Sequence, residues 1–304
     1  MSQSNDDAAA LDRRFAIPGV AHVESDPAGH PVVRIATEKC LGAIHLHGAQ
    51  VTSWKPASTT EVIFSSSKAT FTEGKAIRGG IPICFPWFRA KSDNADAPAH
   101  GFVRTKLWML DSIEHGSEGV LVILSTASDT TTKQWWPHDF RAQLSATFGN
   151  KLVLEFTVTN TGAAPFRFEE ALHTYHAVGD IRSARVRGLD GAPYLDNTDA
   201  NREKKQTGEL AIRSATDSAY LGSEQAIVLL DPPINRKIHI TKQNSKSTVI
   251  WNPWEEAANK MSDLGDGEWQ KFLCAEAANI LANAIELHAG EKHTLTATIS
   301  ASPV

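Results

Sequence analysis

Glu276 stands in Phe272-Leu273-Cys274-Ala275-Glu276-Ala277-Ala278, a run otherwise small and apolar. A carboxylate in such a run is costly to bury unless it is paired or used, so it is either a structural ion pair or a general acid/base. Glu169-Glu170-Ala171-Leu172-His173-Thr174-Tyr175-His176 supplies two imidazoles. On a strand, residues three apart face opposite sides, so His173 and His176 do not readily chelate one metal. Arg78-Gly79-Gly80-Ile81-Pro82 places a fork of donors beside two glycines and a proline. There the backbone can approach a ligand closely, although a structural turn with a surface arginine has the same spelling. Ala99-His100-Gly101-Phe102-Val103-Arg104 sets a histidine and an arginine four apart, both able to point into one cleft or to sit in an ordinary loop. His45 and His47 are two apart and could share a strand face as metal ligands, but no matching carboxylate motif accompanies them.

Together these segments offer His173 and Glu276 as a general acid/base pair, Arg78 and Arg104 as cations, and aromatic faces suited to sugar rings. No GxSxG nucleophile elbow occurs, which lowers nucleophilic hydrolysis in the order of readings. No GxGxxG or GxxxxGK[ST] occurs either, against nucleotide-binding α/β folds. The 304 residues carry a net charge of −5, which argues against a large nucleic-acid footprint. An anion must then be held by a few local cations. The three cysteines, Cys40, Cys84 and Cys274, are widely spaced without a CxxC pair, so they read as buried thiols in a reducing compartment. The first residues lack an apolar signal region, and no apolar run approaches the ~18 residues of a membrane span. A soluble, cytoplasmic protein is expected.

The elements that must position these residues are mostly strands. Period-two alternation of apolar and polar residues marks 32–36, 41–47, 120–125, 143–148, 152–160, 237–241 and 293–300. Gly149-Asn150 reads as a tight hairpin, with further turns at Asp190-Gly191 and Asn160-Thr161-Gly162. The convincing helical stretch is short, around Trp254 to Leu264. Hydrophobic residues make up 41% of the chain, enough for a sizeable core, and no low-complexity linker divides it. One large antiparallel β-domain over residues 1–304 is expected, with residues 1–14 a poorly ordered extension.

In order along the chain, RGGIP (78–82), HGFVR (100–104), LHTYH (172–176), GLDGAPYLD (188–196), TDSAY (216–220), VIWNPW (249–254) and KMSDLGDGEWQKFLCAE (260–276) resemble the aldose 1-epimerase superfamily. Within it they resemble the hexose-6-phosphate mutarotase branch. The resemblance implies an all-β fold, a large antiparallel β-supersandwich, and an isomerase that interconverts sugar anomers without cofactor or metal. It implies His173 and Glu276 as catalytic, His100 and Asp217 as ring contacts, and Arg78 and Arg104 as holders of the phosphate. Two departures stand out: His176 replaces an aromatic residue, so it could alter the pocket lining, and Ala277-Ala278 replaces a frequent proline. The expected partner is a small sugar phosphate, with no nucleic acid or membrane, and the chain is expected to be a monomer. A non-catalytic carbohydrate-binding or sugar-sensing module, a mutarotase for neutral aldoses, and a cupin-like metal isomerase using His45 and His47 are the alternatives.

Overall fold

The computed structural model describes residues 7–304. Strands hold 47% of the chain and helices 12%, and the strands pair antiparallel. The sheet that carries the polar residues singled out above has eight strands among the described residues. Its order is Arg202–Lys205, Pro193–Asp196, Thr216–Leu221, Ser247–Asn252, Phe272–Asn279, Glu170–Leu172 and Ile83–Cys84, with Tyr175–Ala177 also pairing to Phe272–Asn279. A nine-stranded sheet contains Lys292–Pro303, Leu152–Asn160, Phe140–Gly149 and Gly119–Ala127 as consecutive neighbours. A four-stranded sheet, Ala21–Ser25 through Gln50–Pro56, and a two-stranded ribbon, Phe166–Phe168 with Ile285–Leu287, complete the set.

Alternation forms the strands because one face of each is buried. Phe140, Ala142, Leu144, Ala146 and Phe148 are buried along one strand, and Leu152, Leu154, Phe156 and Val158 along its hairpin partner. Phe272–Asn279 differs, being buried at every position. A strand covered on both faces needs no alternation, which is why its sequence is a continuous run of small and apolar residues. Phe85 anchors the segment after Arg78: its ring meets those of Trp136, Phe140, Phe156 and Phe168 at 5.1–5.8 Å between centroids. Burying one such side chain stabilises by ~1.5–3 kcal/mol, so the loop beyond it is held at a fixed root.

The helices depart from expectation. Residues 1–6 of the expected extension lie outside the described residues, but Ala8–Phe15 form helix α1. Asp7 caps it by accepting from the Ala10 N–H at 2.7 Å, Ala8 and Leu11 are buried, and Asp12 accepts from Val23 N–H at 2.7 Å. A second helix absent from the sequence reading, α2 (Thr130–Trp135), has an Asp129–Thr132 capping box. The third, α3 (Trp254–Ala258), stops short of Leu264 and gives way to turns.

Candidate active site

Strand register builds the site. Asp217 pairs with Trp251, Trp251 with Cys274 and Cys274 with Tyr175, so these four form one row across the sheet. Glu276 pairs with Val249 in the next row on the same face. Cross-strand partners share a face, with Cβ atoms about 4.5–5.5 Å apart. The pairing Leu172–Ala277 on one side of a break and Tyr175–Cys274 on the other keeps a single register. His173 therefore falls directly opposite Glu276, and its Nδ1 lies 3.3 Å from Glu276 Oε1. Thr174 bridges the break, its N–H donating to Leu172 O and its carbonyl accepting from Ala275 N–H.

A cavity of about 260 Å³ opens over this face. All six residues singled out from the sequence line it: Arg78, His100, Arg104, His173, Asp217 and Glu276. Arg89, Tyr175 and Trp251 line it as well, and sequence reasoning had assigned none of them a role there. His173 is 8% exposed and Glu276 1%. The His173 ring stacks on Tyr175 at 5.0 Å and meets the edge of Trp251 at 5.7 Å. His100 takes a left-handed backbone, φ 63°, and its Nδ1 accepts from Arg89 N–H at 3.2 Å. That contact leaves Nε2 as the donor available to a ligand. The next residue must be glycine, since a Cβ on Gly101 would stand 1.8 Å from Phe85 O.

The arginines differ in how they are held. Arg78 donates from Nε to Asp263 at 3.1 Å and from Nη1 to the Tyr175 hydroxyl at 3.1 Å. Arg89 pairs with Asp217, whose other oxygen accepts from Asn197 at 2.7 Å. Arg104 donates to Ala99 O at 2.7 Å and has no carboxylate partner among the described residues. Arg89 has φ 61°, in the left-handed region. A non-glycine residue there costs of order 1–2 kcal/mol, and such strain tends to collect at functional sites.

Burial controls the protonation of His173 and Glu276. It lifts the Glu276 carboxyl well above the carboxylate range, with Asp217 adding to the rise and Arg89 and Arg104 opposing it. Burial also holds His173 well below its ordinary value, reinforced by His100, Arg104 and Arg78. Loss of water and the neighbouring cations thus outweigh the pull of one carboxyl toward a charged imidazole. Both shifts run in one direction, each favouring the neutral form of its group. His100 is pushed down to about 3 by burial and by Arg104, Arg89 and Arg78, so it too is neutral.

Three other expectations change. Gly79 and Gly80 do not admit a ligand: a Cβ on Gly79 would stand 2.6 Å from Phe64 O, and one on Gly80 2.5 Å from Val51 O. Their smallness lets neighbouring backbone pack and so fixes Arg78. His176 does not line the cavity; it is fully buried one step along the strand from Tyr175, with Nε2 3.3 Å from Ala275 O. His45 and His47 do not share a face, because the strand Cys40–His45 ends between them. His45 lies 3.4 Å from Asp26 and stacks on Phe71, whereas His47 lines a separate cavity of about 80 Å³ with His30 and Glu73.

Comparison with known proteins agrees with this fold. A family profile described as Aldose 1-epimerase matches residues 31–300. The chain is 34% identical over 295 residues to the "Putative glucose-6-phosphate 1-epimerase" of Cenchrus ciliaris, covering 93% of this chain and 88% of that one. A protein of the same name from Escherichia coli K12 is 36% identical over 234 residues, covering 77% and 78%. The crystal structure of a "putative mutarotase" from Salmonella typhimurium superposes with a TM-score of 0.89 at 27% identity, covering 95% of this chain and 96% of that one. A galactose mutarotase related enzyme from Lactobacillus acidophilus, at 14% identity and a TM-score of 0.70 over 88% and 96%, shares the fold. With an antiparallel β-architecture and a buried histidine–carboxylate pair at the floor of a cavity, this chain belongs to the aldose 1-epimerase family of isomerases, which interconvert sugar anomers.

Proposed function

We propose that this chain interconverts the α and β anomers of a hexose 6-phosphate, glucose 6-phosphate foremost. The observation that carries the phosphate is Arg104, a cation of the cavity without a carboxylate partner among the described residues, beside Arg78 and Arg89. A phosphomonoester brings a charge of about −1.5 to −2 at pH 7, which a mixed cavity with one unbalanced cation can select.

Opening the hemiacetal requires one proton to leave the O1 hydroxyl while another reaches the ring oxygen. Glu276 is the base toward O1 and His173 the acid toward the ring oxygen; after rotation about C1–C2 the roles reverse on closure. Each proton transfer contributes ~10²–10⁴-fold. Burial favours the neutral form of both groups, and opening needs the proton on His173. Phosphate bound at Arg104 and Arg78 cancels two of the charges that hold His173 neutral, and thereby favours protonation there. His100, as a neutral donor, orients the ring. Asp217 is bound on both oxygens, by Arg89 and Asn197, so its role is to hold Arg89 toward the cavity as well as to face the ring.

Anomerisation measured by NMR exchange or polarimetry on α-glucose 6-phosphate and on free α-glucose tests the reading. The phosphorylated sugar is expected to turn over faster; equal rates would refute the phosphate assignment and favour the neutral-aldose reading.

A further inference from the structure

Beneath the acid/base pair lies a third potential ligand group. Cys274 is fully buried on the same sheet face as Glu276, two residues before it on one strand. Ligand atoms of His173, Cys274 and Glu276 all lie within 4.8 Å of one another. Among the described residues, His173 Nδ1 and both Glu276 oxygens have no hydrogen-bond partner although they are buried. Their 3.3 Å separation is an ion-pair distance without hydrogen-bond alignment. In a tetrahedral zinc site with bonds of about 2.0–2.1 Å to nitrogen and oxygen, the N···O edge is also about 3.3 Å. The sulfur, at about 2.3 Å from zinc, needs an edge of about 3.6 Å to each, so each edge must shorten by no more than about 1.2 Å.

We propose that His173, Cys274 and Glu276 form an inhibitory site for a thiophilic divalent cation, zinc in the first instance. The cation enters through the sugar cavity, which His173 and Glu276 line, and leaves the fourth position to water. Binding releases the protons of Cys274 and Glu276 to solvent through the cavity, and the resulting thiolate and carboxylate neutralise the cation's two charges. The surrounding cations oppose entry, but Arg78 and Arg89 each carry a carboxylate partner, leaving Arg104 as the main repulsion. Zinc there ties up both proton-transfer groups and occupies the floor on which the sugar sits, so inhibition is competitive with the sugar.

The proposal rests on the acid/base reading only for its kinetic consequence, and the experiment separates the two. Zinc and cadmium chloride are titrated into the full chain in a non-chelating buffer. Binding is followed by calorimetry and by the ultraviolet cadmium–thiolate charge-transfer absorption, and anomerisation is assayed in parallel. One cation per chain, a charge-transfer band, and inhibition reversed by EDTA are expected. Cys274→Ser should keep basal turnover, lose the band, and weaken zinc binding tenfold or more. Cys274→Ala serves as a second variant should the serine hydroxyl be poorly tolerated in the core. A missing band in the wild-type chain, or zinc inhibition equal in the wild type and both variants, overturns the metal site. Stoichiometric binding and a band without loss of turnover would instead overturn the roles given to His173 and Glu276.

Discussion

Replacing Arg104 by glutamine tests the anion-binding assignment at its most exposed point. The side chain keeps its aliphatic stem and loses its charge and its terminal donors. Among the described residues its side chain makes one hydrogen bond, to Ala99 O, which is exposed, and it anchors no carboxylate, so the fold should tolerate the change. Arg78 and Arg89 are poorer subjects, since removing either strands Asp263 or Asp217. A hydrogen bond to a charged group contributes about 1.5–3 kcal/mol, and each 1.4 kcal/mol is tenfold. Losing such a contact to the phosphate should lower kcat/KM for glucose 6-phosphate by about 10- to 150-fold.

Free glucose supplies the internal control. It has no group for Arg104 to bind, so its kcat/KM should stay near that of the wild type. Arg104 also depresses protonation of His173, so its removal should if anything help the neutral sugar. Stopped-flow polarimetry on both sugars, with a denaturation curve of the variant beside the wild type, gives the comparison. An equal fall on both sugars would mean that Arg104 acts on the shared ring or on the fold. An unchanged rate on glucose 6-phosphate would remove it from the phosphate site.

Inorganic phosphate added in trans should raise the turnover of free glucose, because it supplies the missing charge without the covalent link; Arg104→Gln should abolish the increase, and a rate independent of phosphate would refute the charge-coupled proton shift. His173→Gln and Glu276→Gln should each cost ~10²–10⁴-fold in kcat with circular dichroism unchanged, and near-wild-type turnover in either would remove that residue from the proton path. Gly101→Ala should destabilise by about 2 kcal/mol or more in urea titration, since the new Cβ meets Phe85 O at 1.8 Å and the backbone is at φ 71°. His293 lies 2.9 Å from the buried Glu170, whose attraction outweighs burial and raises its pKa. Its stabilising charge is present below about pH 6.5 and lost as pH rises through the higher folded value, so stability should fall on that side; in His293→Gln the fall should flatten.

The strands could be read from the sequence wherever one face is buried and the other wet, as along Phe140–Gly149 and Leu152–Asn160. Glu276 could be picked out for the opposite reason: a strand covered on both faces left one carboxylate conspicuous in an apolar run. Helix α2 escaped notice because its β-branched threonines are poor helix formers, and only the Asp129–Thr132 box marked its start. Arg89 had no local signal at all. It stands in a loop rooted by Phe85, and it reaches the cavity through a left-handed backbone and a carboxylate 128 residues away.

The same limit applies to the protonation of His173. Sequence likeness can bring a histidine and a glutamate into one site, and proximity alone then argues for an ion pair. Whether the pair is ionised depends on how much water the fold removes and on which cations it brings near. Two of those cations, Arg78 and Arg104, come from segments far from both residues. The bias toward a neutral pair is therefore a property of the assembled cavity, and in the proposed function relieving it gives the phosphate a second task. Beyond adding affinity, the phosphate prepares the acid, so a sugar lacking it should lose kcat as well as KM. A defect confined to KM would leave the arginines as a clamp and remove the coupling.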